Sequence, residues 1–227
     1  TQGVSSAASD VYKRQNITLK KGPVASTSGT FGNQSFVFSI VSDITVPVLD
    51  GIASFDEIAI YQGSLLTSNF TYSSRTPNAK FILQNTGIDT SLINVVVKGA
   101  EQSTTKVAYT VQDSLFNIDK DSKVYYLQEI EDERYQLIFG DGIFGKAREE
   151  GNYIIADNIV SNGDSANGVN QFEFAGSISY TRNGTTYAVT DGISLITTDI
   201  SSKGGETIET VDSIKKFAPR IYASQNR

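Results

Sequence analysis

No histidine, cysteine, methionine or tryptophan occurs among the 227 residues of this chain. Without histidine, the usual general base of serine and cysteine hydrolases is missing, along with the commonest transition-metal ligand. Without cysteine there are no thiol nucleophiles, disulfides or thiolate zinc sites. Positive charge is also scarce, with 19 Lys and Arg against 25 Asp and Glu and a net charge of −6. A nucleic-acid groove needs clustered cations, and this balance argues against one. No apolar run approaches the ~20 residues that a membrane-spanning helix requires. An enzyme built on this chain would have to work with Asp, Glu, Lys, Tyr or Arg, as a two-carboxylate glycosidase does. Nothing in the sequence pairs two such groups at a site, so no catalytic, cofactor-binding or metal-ligating residue is assigned.

The front of the chain has a different character. Ser5 to Gln15, SSAASDVYKRQ, reads as the in-frame translation of a transposase adapter oligonucleotide used in sequencing libraries; a polar natural segment is the alternative. Together with Thr1 and the lack of methionine, this makes residues 1–15 an expected adapter-derived scar, excluded from fold reasoning. The native segment is then expected to begin near Asn16, as an internal fragment of a longer protein.

What is present is a series of short β-rich runs between turn residues. Ser35 to Val41 alternates with period two, placing Phe36 and Phe38 on one face and Val37, Ser39 and Val41 on the other. Ile44 to Leu49 contains Pro47, which confines it to an edge or a strand end. EIAIY (57–61), NFTY (69–72), KFIL (80–83) and NVVVK (94–98) are further strand candidates. The spacing suggests antiparallel β layers. Val124 to Glu129 and Tyr135 to Phe139 are expected to pair across the acidic Glu131-Asp132-Glu133. Tyr153 to Val160 and Gln171 to Tyr180 are expected to pair around two turn signals, Asn162-Gly163-Asp164 and Ala166-Asn167-Gly168, whose glycines tolerate positive φ. Thr181 to Thr185 reads as one more hairpin turn. After residue 203 the period changes, and Ile208, Val211, Ile214 and Phe217 predict a helix. The expected architecture is therefore mainly β: antiparallel sandwich-like layers in two lobes, 16–103 and 104–202, with a short α-helical connector over 203–227.

Three motifs compete for a functional reading. Gly140 to Lys146, GDGIFGK, has the spacing of a nucleotide-binding P-loop. Ala147 replaces the hydroxyl that would hold magnesium, and Asp141 puts negative charge where phosphate would sit. Gly151-Asn152 also ends any helix within one turn. A tight connection between strands is the better reading. Asn117 to Asp121 opens like a calcium loop, but Ser122 and Gln128 stand where glycine and a bidentate glutamate belong. Four N-x-S/T triplets are compatible with chance in a Ser- and Thr-rich chain.

With these blocks in order, the chain resembles the baseplate wedge subunit of contractile-tailed bacteriophages, within the baseplate J-like family. The blocks are NTGIDTSLINVVVK (85–98), VYYLQEIEDERYQLIFGDGIFGK (124–146), EEGNYIIADNIVSNGDSANGVNQF (149–172) and GGETIETVDSIKKFAPRIYASQNR (204–227). Glu133-Arg134 departs from the Asp-Gly turn typical there and leaves that turn type open. The resemblance implies a structural protein of the virion tail baseplate, made in the bacterial host cytoplasm. It would join copies of itself and neighbouring wedge proteins into a ring. No cofactor, turnover, nucleic acid, membrane or small-molecule substrate is implied. In that role Phe139, Gly140, Asp141, Gly142, Phe144, Gly145 and Lys146 would form a rigid corner. Gly140 and Gly142 would take unusual φ, Asp141 would cap backbone N–H groups, and Phe139 and Phe144 would clamp the corner from the core side. Gly151, Asn152, Asn162, Gly163, Ala166, Asn167 and Gly168 would shape the turns that follow. Two alternatives stand beside it: a carbohydrate-binding or depolymerising phage tail protein, suggested by the many aromatics and acids, and a secreted adhesin.

Overall fold

A computed structural model describes residues 16–76, 79–195 and 200–207. The expected helix after 207 and the adapter-like segment 1–15 lie outside these residues. The described chain is mainly β, in three sheets. Five strands come first: β1 (Asn16–Leu19), β2 (Gly22–Thr27), β3 (Val37–Ile40), β4 (Ile44–Pro47) and β5 (Tyr61–Gln62). Seven follow as β6 (Ser64–Thr71), β7 (Phe81–Leu83), β8 (Asn94–Lys98), β9 (Val107–Val111), β10 (Val124–Ile130), β11 (Arg134–Phe139) and β12 (Tyr153–Val160). The last three are β13 (Phe172–Phe174), β14 (Ile178–Arg182) and β15 (Thr185–Val189).

Strands β6 to β12 make one seven-stranded sheet in the order β6-β12-β8-β9-β10-β11-β7. One face carries the alternating apolar residues of all seven strands, among them Phe70, Phe81, Val95, Tyr109, Tyr125, Leu137 and Ile154. The sheet curls until its two edges approach. Phe70 on β6 and Phe81 on β7 meet edge to face with ring centroids 5.6 Å apart, although the two strands do not pair. The result is a rolled, incompletely closed barrel filled by its own side chains, as small barrels are. Its interior is dry at the centre: Val95, Leu137, Ile154 and Ala156 are all fully buried.

The other eight strands form two four-stranded sheets, β15-β14-β1-β4 and β13-β2-β3-β5. They face each other across Leu19, Ile40, Val24 and Ile178, with Phe55 and Ile58 from the intervening segment. A bulge between Pro23 and Ala25 shifts the β2–β3 register, and such a bulge twists the strand. The barrel is thus inserted into a sandwich whose strands lie on both sides of it in sequence. Phe36 and Phe38 share a buried cluster as their alternation predicts. Ser39 on the opposite face is buried and donates to the Gly63 carbonyl at 2.7 Å. β4 is an edge strand ending at Pro47, where the missing N–H costs no ladder bond.

Two pairings differ from the sequence reading. β12 does not pair with the segment after it; it pairs antiparallel with β6 along its whole length and with β8. β13 pairs instead with β2, and β14 with β1 and β15. Alternation identifies a strand and its buried face but not its neighbour, and the turn over Gly163–Ala166 carries the chain from barrel to sandwich. For the same reason the boundary expected at 103–104 falls between β8 and β9, which pair within one sheet. The layers are also not purely antiparallel, because β9 and β10 run parallel. The β10–β11 hairpin forms as expected, in register from Tyr125↔Phe139 to Ile130↔Arg134. Its turn places Asp132 and Glu133 at positive φ (62° and 55°) without glycine.

Candidate functional site

β11 leaves the barrel core at Phe139, which is buried against Phe81, Tyr109 and Tyr125. The backbone then doubles back within six residues. At Gly140 the requirement is close approach, not unusual φ: a Cβ there would lie 2.2–2.5 Å from the backbone of Gly145. Gly142 and Gly145 both sit at φ +93°, a region that side chains strain. Gly142 N–H donates to the Gly145 carbonyl at 3.0 Å and closes the loop. One Asp141 oxygen accepts from the Ile143 and Phe144 N–H groups at 2.9 and 3.0 Å. These bonds, first that from Phe144, hold the Asp141 carboxyl below its ordinary range.

The corner is welded to a second loop, 112–123. Gly145 N–H donates to the Asp119 carbonyl at 2.9 Å and Lys146 N–H to the Ser122 carbonyl at 2.8 Å. Within that loop the Asp119 carboxylate accepts from Ser122 Oγ and the Asp121 N–H, so the calcium-like run is used as a turn. Phe144 is 45% exposed and Ile143 67%. Phe139 alone therefore anchors the corner in the core, because the Asp141 turn presents 143 and 144 outward.

The geometry is not that of a phosphate cradle. β11 is antiparallel to both neighbours, β10 and β7. Residues 147–152 are irregular and lead directly into β12. Lys146 pairs with Glu149 at 3.6 Å. With no helix start behind the loop, converging N–H donors and a favourable dipole are both missing.

Arg148 was not singled out by the sequence, and it holds down residues 146–152, a strap across the barrel end. Its guanidinium lies 5.4, 6.0 and 5.3 Å from the rings of Tyr72, Phe81 and Phe139, a cation–π arrangement at the barrel end. Burial pushes its pKa down from the ordinary value, though arginine remains charged at any physiological pH. Gly151 and Asn152 complete the strap. Asn152 is buried, its N–H donates to the Glu149 carbonyl at 3.0 Å, and its Oδ1 accepts from Glu149 N–H at 2.9 Å. Gly151 N–H reaches the Tyr72 carbonyl, and Tyr72 N–H the Asn152 carbonyl. The strap thus closes the barrel end where β6 finishes and β12 begins.

The second group, Asn162, Gly163, Ala166, Asn167 and Gly168, lies at the other end of β12, where the chain enters and leaves the barrel. Asn162 and Gln62 form a reciprocal pair: Gln62 Nε2 donates to Asn162 Oδ1 at 2.7 Å and Asn162 N–H to Gln62 Oε1 at 2.8 Å. This clasps the entering and departing strands. Nearby, Lys21 Nζ on the sandwich reaches Asp157 on β12 at 2.5 Å, and Thr67 Oγ1 donates to the same carboxylate at 2.6 Å. Asp157 is almost fully buried, so the pair is a real tie between sandwich and barrel. Ala166 is buried with Phe36, Phe38 and Val169. Asn167 and Gly168 turn outward and bind the segment 202–205. The two groups therefore occupy opposite ends of β12.

Residues 65–162 match the family model described as bacteriophage baseplate wedge protein gp6, third domain. No curated protein matches the chain. The matched stretch coincides with the barrel, β6 to β12, and ends at the clasp residue Asn162. The matched family is a structural baseplate protein, which supports a structural role in a phage baseplate wedge, at the virion tail.

Proposed function

We propose that the chain is an assembly module of a contractile-tail baseplate wedge, of the baseplate J-like kind, that binds copies of itself and neighbouring wedge proteins. The observation that carries this reading is the coincidence of the wedge-family match with one folded unit, the barrel. What surrounds that unit suits a load-bearing part. The Gln62–Asn162 clasp, the Lys21–Asp157–Thr67 tie and the Ser39–Gly63 bond fix the barrel to the sandwich through side chains from both. The glycine corner presents Ile143 and Phe144 on a backbone braced by five hydrogen bonds, and rigid apolar presentation lowers the entropy cost of association. Asp141, Gly142 and Gly145 serve that corner as formers of its shape, and Lys146 as part of its strap.

Co-expression of the full chain with the tail proteins encoded beside it, followed by sedimentation velocity, tests the proposal. Stoichiometric complexes are expected. A chain that stays monomeric with every one of them refutes the proposal. Calorimetry with ATP is expected to give no binding heat; binding abolished by Lys146→Ala would overturn the structural reading.

A further inference from the structure

We infer that Ala166 to Val169 form a releasable clamp that holds the chain's own segment Ser202–Gly205 and so sets where the polypeptide beyond 207 departs. Six hydrogen bonds make the clamp. Gly168 N–H donates to the Ser202 carbonyl and Ser202 N–H to the Val169 carbonyl, both at 2.8 Å. The Ser202 hydroxyl donates to the Ala166 carbonyl and accepts from Val169 N–H. The Asn167 side chain imitates a strand, donating to the Gly205 carbonyl at 2.8 Å and accepting its N–H at 3.0 Å. Gly205 also lies flat on Gly163: a Cβ at Gly205 would stand 2.3 Å from the Gly163 carbonyl oxygen. A glycine is needed there, and any side chain would push off this second strap, residues 202–205.

The held segment 202–205 has no large apolar side chain, whereas Ala166 and Val169 on the clamp are buried in the sandwich core. Ile200 beside it is 66% exposed, and residues 203, 204, 206 and 207 are exposed. Bonds that hold a polar, partly exposed segment open locally at low cost, whereas β12 opens only with the barrel core. Engaged, the strap starts the following chain at the neck of the barrel, beside Gly163. Released, residue 207 follows Val189, the end of β15, by a length of chain that could reach about 60 Å if fully extended. The clamp is therefore a two-position device for residue 207, held at the neck or released from it.

Hydrogen–deuterium exchange of the full chain tests this. The amides of 202–205 and of Gly168 and Val169 are expected to exchange on the order of 100-fold faster than those of Ile154 to Ala156. Gly205→Val should speed exchange at 168–169 and 202–205 at least about tenfold, and Asn167→Ala should do so by removing the two amide bonds, each with β12 unchanged. The inference is overturned if the wild-type strap exchanges only at the rate of the core. It is equally overturned if both variants leave 168–169 unaffected or strip protection from β12 as well.

Discussion

Replacing Gly140 by alanine isolates the close approach on which the corner is built. The added Cβ would sit 2.2 Å from the Gly145 carbonyl carbon, 2.3 Å from its oxygen and 2.5 Å from its Cα. All three are backbone atoms, so no side chain can rotate away, and the two segments must part by roughly 1 Å to reach ordinary contact. That separation pulls on the three bonds that depend on Gly145's position: Gly142 N–H to Gly145 O, Gly145 N–H to Asp119 O and Lys146 N–H to Ser122 O. At about 1 kcal/mol net each, their loss comes to roughly 3 kcal/mol, with some recovered by water. Urea unfolding of the full chain, followed by far-ultraviolet circular dichroism and tyrosine fluorescence, measures it. Gly99→Ala is the control, since nothing lies within 4 Å of its Cβ position and its φ is not positive; it should fall within about 0.5 kcal/mol of wild type. If Gly140→Ala is as mild as that control, the corner is not closed by backbone contact and the reasoning fails.

Arg148→Met keeps the length of the side chain but removes the cation facing Tyr72, Phe81 and Phe139; a loss of about 1–2 kcal/mol is expected in the same unfolding assay, with Arg148→Lys between the two. Asp157→Asn should cost about 1–3 kcal/mol, less than a fully buried pair because Lys21 is 39% exposed, and a second change, Lys21→Met, should restore part of it. A double-variant loss equal to the sum of the two single losses would show that the pair is not coupled. Burial pushes the Tyr125 phenol up to about 12, so its neutral form is favoured in the fold. That contribution is complete below pH 10 and is lost as pH rises from 10 through about 12. In an absorbance titration one tyrosine should therefore ionise last, and Tyr125→Phe should abolish that late step.

Strand identity and burial were legible where alternation was regular. Phe36 and Phe38 enter one cluster, Val95 and Val97 another, and both hairpins with a local turn form in register. Asn183-Gly184 adopts positive φ at both residues, as that pair's chemistry requires. The acidic turn gave no such signal, because Asp132 and Glu133 occupy left-handed backbone that sequence reserves for glycine or asparagine. Asp141 accepts the Ile143 and Phe144 N–H groups, while Phe144, expected to clamp the corner from the core side, faces outward. Arg148 was missed because a lone arginine followed by two glutamates reads as solvated surface; only the convergence of Tyr72, Phe81 and Phe139 from separate parts of the sheet gives it a seat. An arginine shortly after a glycine corner that follows a buried aromatic was the available clue.

The amino-acid order alone determined that this chain makes β layers, that GDGIFGK lacks the parts of a nucleotide site, and which faces turn inward. Those properties are local: they follow from side-chain period, turn chemistry and the presence or absence of single groups. Tertiary structure alone decided that β6 to β12 roll into an inserted barrel, that β12 lies between β6 and β8, and that Asn167 grips Gly205. Partner choice among similar strands depends on contacts between residues a hundred or more positions apart, such as Gln62 with Asn162 and Lys21 with Asp157. Such contacts arise from packing the whole chain and leave no periodic mark in its sequence.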